Sequence, residues 1–496
     1  MPPIRRALTF TILLLFFVLL HLPSRDALQT LFTIRHNTFP RSTKSQLLNT
    51  STSTSTRVET SIPGSELLTG FTLLDRLYLR NGTFFIVTAN ISAFPTRRNM
   101  IAPGKDLSSG DMEPTDKELR FVHREEAEKV LDQNAIQIRG FSIIVYDTKQ
   151  FMPHFYHWWG EIVLGSWRVY SVIFATESSP LPFPARFILP FVHSNKWRDP
   201  AGVNALLMRA SFPSTAVETM EYWKDLISLD RTVVFDRAMI VSRETSGRDP
   251  LTGKWHKMIS PTMNIKPAPD FFEPIRRTVL TSLLGYLPIT NMWGAVATPK
   301  NNDDVENHDM QSDLPIVTYI SRQGGGRRLS YADHEGLVRA LSALEDEGVC
   351  RVNVVRMETM SVKEQVAVAA RSTVLVGVHG NGLTHQMWMP PSSRSTVLEI
   401  FTPKGYVFDY EILARNVGHK HYAVWNDSVI TFPEGTYHDT VNYPEGFDTV
   451  PIPVHGPSVA QIIRQRLAGG LQRGNLDARN HNCALRALYL GSGIWR

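Results

Sequence analysis

Between residues 315 and 425 the chain alternates between two periodicities, and few folds accommodate that. "PIVTYISR" (315–322), "RVNVVRM" (351–357), "TVLVGV" (373–378), "TVLEIF" (396–401) and "HYAVW" (421–425) are short apolar or β-branched runs. Between them lie "YADHEGLVRALSALEDEG" (331–348), "SVKEQVAVAARS" (361–372) and "GYVFDYEILARNVG" (405–418), with apolar residues three and four apart. The short runs predict strands and the longer spacing predicts helices. Ser361 and Glu364 predict a capping box on the second helix. Strands joined by helices lie parallel, with both faces covered, so the segment predicts a doubly wound α/β sheet.

The first half has the same ingredients in looser order. "TFFIVT" (83–88), "FSIIVYD" (141–147), "RFILPF" (186–191) and "RTVVFDRAMIVS" (231–242) predict strands. "HFYHWWGEIVLGSWRVYSVIF" (154–174) and "FEPIRRTVLTSLLG" (272–285) predict helices, the second ending at Gly285. The polar stretch 298–315 between the halves reads as a linker. A chain of 496 residues with this pattern accommodates two domains.

Charge and cysteine content exclude several classes. A net charge of +5 over this length, with no concentrated basic stripe, gives no footprint for nucleic acid. Two cysteines, Cys350 and Cys483, are too few for a disulfide scaffold or a thiolate metal cluster. They form one disulfide or remain two buried thiols.

The N-terminus reads as an address. Arg5 and Arg6 precede an apolar run from Ala7 to about Leu22, without a small-x-small cleavage site after it. This favours a cytosolic tail and uncleaved signal-anchor over residues 1–23 rather than a cleaved signal peptide. Residues 24–69 contain a Ser/Thr repeat and read as a stem. Sequons at Asn49, Asn81, Asn90 and Asn426 agree with a lumenal body. The expected organisation is then residues 70–297, the linker 298–315, and residues 316–496. Its expected location is the Golgi or ER membrane, as a single-pass type II protein.

Ligands of a doubly wound sheet bind at the carboxyl ends of its strands. Strand "TVLVGV" runs into His379, Gly380, Asn381 and Gly382. The glycines let the backbone turn or approach a ligand, the following helix offers free N–H groups to phosphate, and His379 can donate to a phosphate or sugar oxygen. Strand "PIVTYISR" runs into "QGGGRRL", with Arg322, Arg327 and Arg328 around three glycines; guanidinium forks match diphosphate oxygens. Glu399, near the end of "TVLEIF", can accept from ribose hydroxyls. Singly, these have plainer readings as a structural turn, a solvated basic loop and a core glutamate. Together they describe a nucleotide diphosphate site. The Walker-like "GRDPLTGKW" (247–255) has one residue too many between its glycines and Trp255 where Ser or Thr is required.

"SRQGGGRRL", "VGVHGNGLTHQMWMPP" and "VLEIF", in this order, resemble the family 61 glycosyltransferases, and "HFYHWWGE" is similar to a motif in that family's first domain. The resemblance spans roughly residues 150–425. It implies a GT-B-like fold: two Rossmann-like domains facing a cleft, the second holding a nucleotide sugar and the first presenting the acceptor. It implies inverting transfer from a UDP-sugar such as UDP-xylose, UDP-N-acetylglucosamine or UDP-arabinose to a glycan or protein. The family more often has Ala at the position of Asn381 and Asn at that of His385, so the motif does not name the donor sugar.

Inversion needs a general base. His157 and Glu161 are four residues apart on one helix face, and either serves as base with the other orienting it. Trp158 and Trp159 are expected to stack on acceptor sugars. Asp147 is a further candidate base, and a metal held by His154, His157 and Glu161 is a minor alternative. No Asp-x-Asp follows a strand, and Asp303–Asp304 lies in the linker, so neither metal nor other cofactor is expected. Two rival readings are a catalytically inactive lumenal sugar-binding protein and a lumenal sulfotransferase.

Overall fold

Eight strands make the first sheet. They are β1 (Ser53–Ser55), β2 (Phe71–Arg80), β3 (Thr83–Val87), β4 (Leu119–Val122), β5 (Asn134–Val145), β6 (Arg186–Ile188), β7 (Ala216–Glu218) and β8 (Val233–Val241). The order is β4-β3-β2-β8-β5-β6-β7, with β1 pairing antiparallel to β5. β8, β5, β6 and β7 are mutually parallel. This computed structural model describes residues 53–55, 58–64, 68–105, 110, 112–173, 181–291, 294–299, 310–311 and 314–468.

Local chemistry explains several boundaries. β2 and β3 meet through Asn81 and Gly82, both at positive φ, as a two-residue hairpin of this hand requires. Asn81 is also a sequon asparagine, and it is exposed at the hairpin tip; Asn90 and Asn426 are exposed too. β5 is longer than its apolar half suggests. Its register shifts between Ile138 and Phe141, where Gly140 has φ +82°, and this bulge hides the strand's period. The expected stem ends earlier than residue 69. Ser53–Ser55 pairs with β5, and Thr60 is buried, donating to Arg76 O and accepting from Val87 N.

The second sheet is built from β12 (Ile316–Ile320), β13 (Arg351–Val355), β14 (Val374–Val378), β15 (Thr396–Ile400), β16 (Lys420–Trp425) and β17 (Ser428–Ile430). Its order is β13-β12-β14-β15-β16-β17, all parallel except β17. The crossovers use α5 (Tyr331–Asp346), α6 (Val362–Arg371) and α7 (Asp409–Asn416), and α8 (Gly456–Ala468) packs on α5. Ser361 and Glu364 form the expected capping box. In a 2-1-3-4-5 order the chain changes direction between the first and third strands, here β12 and β14. Of the polar stretch 298–315, the described part includes the antiparallel pair β10 (Val296–Pro299) and β11 (Met310–Gln311), beside β9 (Ile289–Thr290).

The expected anchor, Cys483 and most of that polar stretch lie outside the described residues. Among the described residues no helix is long and apolar enough to cross a membrane. Cys350 is a buried free thiol.

The helices between the sheets share one core. A π-helical turn, His157–Val163, leads into α1 (Leu164–Ile173); α2 (Val203–Ser211), α3 (Met220–Ser228) and α4 (Glu273–Leu284) are the other long helices of the first half among the described residues. α4 ends at Gly285 with φ +82°, as expected. The largest apolar cluster draws on both halves, from Trp159 to Trp388 and Tyr410. Arg168, also buried, joins them by donating to Thr262 O, Ile265 O and Asn416 Oδ1. A second cluster lies under α5 and α8.

Candidate functional site

Each sheet has a switch point, and the two bring together most of the residues that carry chemistry. In the first sheet β5 and β8 are neighbours, with later crossovers leaving β5 on one side and returning to β8 on the other. Their carboxyl ends deliver Asp147 and Arg243. Asp147 Oδ2 accepts from the Arg243 backbone N–H at 2.7 Å. Burial pushes its carboxyl up to about 6, against the pull of that N–H and of the guanidinium. Through that contact Asp147 braces the strand ends.

The π-helical turn sits beside this switch point. His157 Nδ1 lies 2.5 Å from Glu161 Oε2. Arg243 Nη2 donates to the same oxygen at 2.7 Å, and the Met258 N–H donates to Oε1 at 2.7 Å. Gly160 is needed here, because a Cβ would sit 2.9 Å from the Tyr156 ring. Burial would raise the Glu161 carboxyl, but Arg243 and His157 hold it well below its ordinary range. A fully buried carboxylate with both oxygens engaged cannot receive a proton from an acceptor. This corrects the choice left open between the two residues: Glu161 is a positioning residue. It fixes the His157 ring so that Nε2 points away from the carboxylate, the arrangement a histidine base requires.

Trp158 and Trp159 are also corrected. Both are fully buried. Trp158 packs on Trp197 at 4.9 Å and Phe187 at 6.0 Å; Trp159 packs on Trp388 at 5.5 Å. Neither has a face to offer a sugar. The exposed aromatic beside the histidine is Phe151, 47% exposed, 4.9 Å from the His157 ring and under the Arg243 guanidinium at 5.1 Å.

The second switch point presents Arg322 after β12 and His379 after β14. Arg322 Nη1 donates to His379 O at 3.0 Å, and its guanidinium lies where a Gly380 Cβ would be. Among the described residues it has no carboxylate partner. Burial and the Arg327 charge lower its pKa. Arg327 stacks over Phe447 at 5.5 Å and pairs with exposed Asp448 at 3.2 Å. Arg328 is exposed and ties down its own loop, donating to Gly325 O at 3.2 Å. The short helix expected after the glycines is a 3-10 helix, Asn381–Trp388. Gly382 packs tightly on Ile320, with room for a Cβ only at 3.0 Å.

Two donor-side expectations change. Glu399 is fully buried, with Oε1 2.5 Å from His379 Nδ1 and Oε2 2.8 Å from His421 Nε2, so neither oxygen is offered to a ribose. Asn381 reaches across to the first half. Its Oδ1 accepts from the Tyr156 N–H at 3.3 Å, and Nδ2 lies 3.2 Å from His154 Nε2. His385 is buried, with Nε2 2.7 Å from Gln365 Oε1, so this departure from the family pattern faces the core.

Three further residues went unrecognised in the sequence. Arg243 holds Glu161. Lys257 and Asp409 form a buried ion pair of 2.6 Å joining the halves. Burial opposes both charges, yet each holds the other ionised: Lys257 is raised and Asp409 lowered. The Asp409 charge also acts on His157 and His379, so the pair stands between the two switch points. No local signal marks residues 152 positions apart as partners. Among the described residues no cluster of His, Cys, Asp or Glu has metal-binding geometry. A surface cavity of about 350 Å3 beside α2, lined by Trp197, Arg198, Leu206 and Arg209, shares none of these residues.

Two α/β halves, the first with a mixed sheet and the second with a largely parallel one, carry a carboxylate-held histidine at one switch point and guanidinium groups at the other, an arrangement that fits enzymes that move an activated group. The comparisons make the class specific. Residues 151–397 match the family described as Glycosyltransferase 61. The EGF domain-specific O-linked N-acetylglucosamine transferase of Drosophila melanogaster is 28% identical over 130 residues, which is 26% of this chain and 22% of that protein. The chain therefore spans about a fifth of that relative's length in the match. A structure of E. coli ADP-heptose LPS heptosyltransferase II aligns with 68% of this chain and all of that one, at 11% identity and a TM-score of 0.25, a likeness too low to bear weight. Both the matched family and the Drosophila melanogaster relative are described as glycosyltransferases. Residues 151–397 carry the similarity to glycosyltransferase family 61.

Proposed function

We propose that this enzyme transfers a sugar, hexosyl or pentosyl, from a UDP-sugar to a glycan or glycoprotein acceptor in the secretory pathway, with inversion and without a metal. The halves act as a GT-B-like pair, residues 70–297 on the acceptor side and 316–496 on the donor side. Residues 1–23 anchor the chain in the Golgi or ER membrane as a type II protein. The observation that carries this reading is the combination of His157, held by buried Glu161, with, beside His379, the Arg322 guanidinium, which has no carboxylate partner among the described residues.

The chemistry follows from that combination. His157 Nε2 takes the proton of the acceptor hydroxyl, whose oxygen attacks the anomeric carbon. The bond from that carbon to the diphosphate breaks, and UDP leaves with its charge facing Arg322, Arg327 and His379. Fixed cations act most strongly on the charge that develops in the transition state, so they supply what a metal would otherwise supply. Phe151 takes the acceptor-side role first expected of Trp158 and Trp159. The donor class includes UDP-xylose and UDP-N-acetylglucosamine.

A thermal-shift screen tests this. UDP, UDP-xylose, UDP-N-acetylglucosamine, UDP-galactose, UDP-glucose and GDP-mannose are each added with and without EDTA, to the native chain and to Arg322→Ala. A UDP-dependent rise in Tm that survives EDTA and is lost in the variant is expected. A folded chain unmoved by any nucleotide would sink the donor assignment and leave a sugar-binding protein.

A further inference from the structure

The second half buries a carboxyl group between two imidazoles. Glu399 lies on β15, between His379 at the end of β14 and His421 on β16. The contacts are 2.5 Å and 2.8 Å, and all three side chains are buried. Among the described residues no Lys or Arg pairs with the carboxyl. Around the trio stand Asp409 and Glu411 from α7, Arg327 and Lys257 from loops, Arg322 beside His379, Arg415 near His421, and the phenols of Tyr406 and Tyr410.

Proton counting narrows the possibilities. An ionised Glu399 would need a proton on His379 Nδ1, leaving Nε2 as a bare lone pair. That lone pair would repel a phosphate oxygen. An imidazolium at His379 would be buried near Arg322, Arg327 and Lys257. Burial, with these cations, outweighs the opposing pull of the Asp409 charge and holds His379 down to about 3. The remaining arrangement is neutral throughout. The Glu399 O–H donates to His379 Nδ1, and His421 Nε2–H donates to the other oxygen. Burial, then the Asp409 and Glu411 charges, push Glu399 well above its ordinary range, in the same sense. A buried polar group is tolerated when every donor meets an acceptor, and only the neutral trio achieves this without a charge.

We propose that Glu399 is a positioning residue: as a neutral acid it donates to His379 Nδ1, so that His379 presents an Nε2–H to the diphosphate of the nucleotide sugar. The inference rests on the donor-site reading and adds a proton arrangement to it. Glu399 acts through His379 and does not touch the nucleotide.

The test combines spectroscopy of the full-length chain with UDP titration. Side-chain 15N spectra of histidine-labelled protein, with His379 assigned by its loss in His379→Asn, report which nitrogen carries the proton. An infrared difference spectrum between wild type and Glu399→Gln reports a protonated carboxyl. The amide introduced by Glu399→Gln can donate to His379 and accept from His421, so that variant should bind UDP within about threefold of wild type. Glu399→Ala should weaken binding more than about tenfold, the loss expected of one hydrogen bond to a charged ligand. Nε2–H on His379 at pH 7, with a protonated Glu399, is the expected result. UDP binding with the proton on His379 Nδ1, or a Glu399→Gln variant as weak as Glu399→Ala, overturns the inference alone. A wild-type chain that binds no UDP overturns the donor reading itself, and the role of His379 with it. The wild-type spectra keep the test decisive if a variant fails to fold.

Discussion

At the switch point of the first sheet, charge is matched by charge. Glu161 lies between Arg243 and His157, and Lys257 meets Asp409. At that of the second sheet, Arg322 has no carboxylate partner among the described residues, and Glu399 sits behind His379. The two ends share a topology and differ in what they leave unsatisfied. The first spends its charges on fixing one imidazole. The second leaves positive charge for an anion to complete. A fold supplies positions, and the residues placed there supply function.

The comparison predicts separable defects. Largest is His157→Ala, expected to lower kcat by about 10²–10⁴-fold, the usual share of a general base, with UDP affinity unchanged by calorimetry. If UDP affinity collapses instead, the two ends are not divided as described. Trp159→Ala should destabilise the fold by about 3–5 kcal/mol, read from urea unfolding. Phe151→Ala should leave stability within about 0.5 kcal/mol and raise KM for the acceptor. A sugar-facing Trp159 would reverse that contrast.

Smaller effects belong to the donor end. Gly380→Ala should displace the Arg322 guanidinium and weaken UDP binding by about tenfold, one lost charged hydrogen bond, and backbone strain at its φ of +158° should lower Tm as well. The pH dependence of stability should reside mainly in the second half, with His154 of the first half, lowered to about 4 by burial, adding to it. His379, His385 and His421 are held at about 3, and His419 at about 4, by burial. Their folded pKa values lie below the unfolded value of about 6.5, so between the two the unfolded chain binds more protons. Their contribution is complete above about pH 6.5 and falls with acidification, by up to about 1.4 kcal/mol per pH unit for each. Asp147, raised to about 6, and Glu399, also raised, oppose it in part. Tm should fall from pH 7 to pH 5, and His385→Gln should flatten that slope. A flat profile would mean these histidines are not buried neutral.

Much of this was legible in sequence because it is local. Alternating periods gave β12 to β16 and their crossovers, Gly285 gave the end of α4, and Ser361 with Glu364 gave a cap. Other features failed for equally physical reasons. The bulge at Gly140 broke the period of β5, and the Trp pair beside His157 looked available because adjacency along a chain says nothing about what packs across it. The π-helical turn sends both rings inward while His157 stays partly exposed.

By itself the sequence determined which segments become strands, that the second half is a parallel doubly wound sheet, and that arginines and a histidine follow two of its strands. These follow from side-chain period and backbone chemistry, which act over a few residues. Only the tertiary structure decided which imidazole is free to act, which carboxyl groups are spent on neighbours, and which aromatic ring faces outward. Arg243 reaches Glu161 across 82 residues and Lys257 reaches Asp409 across 152. Burial then sets the charge each group can carry, and burial is a property of the packed chain rather than of any segment.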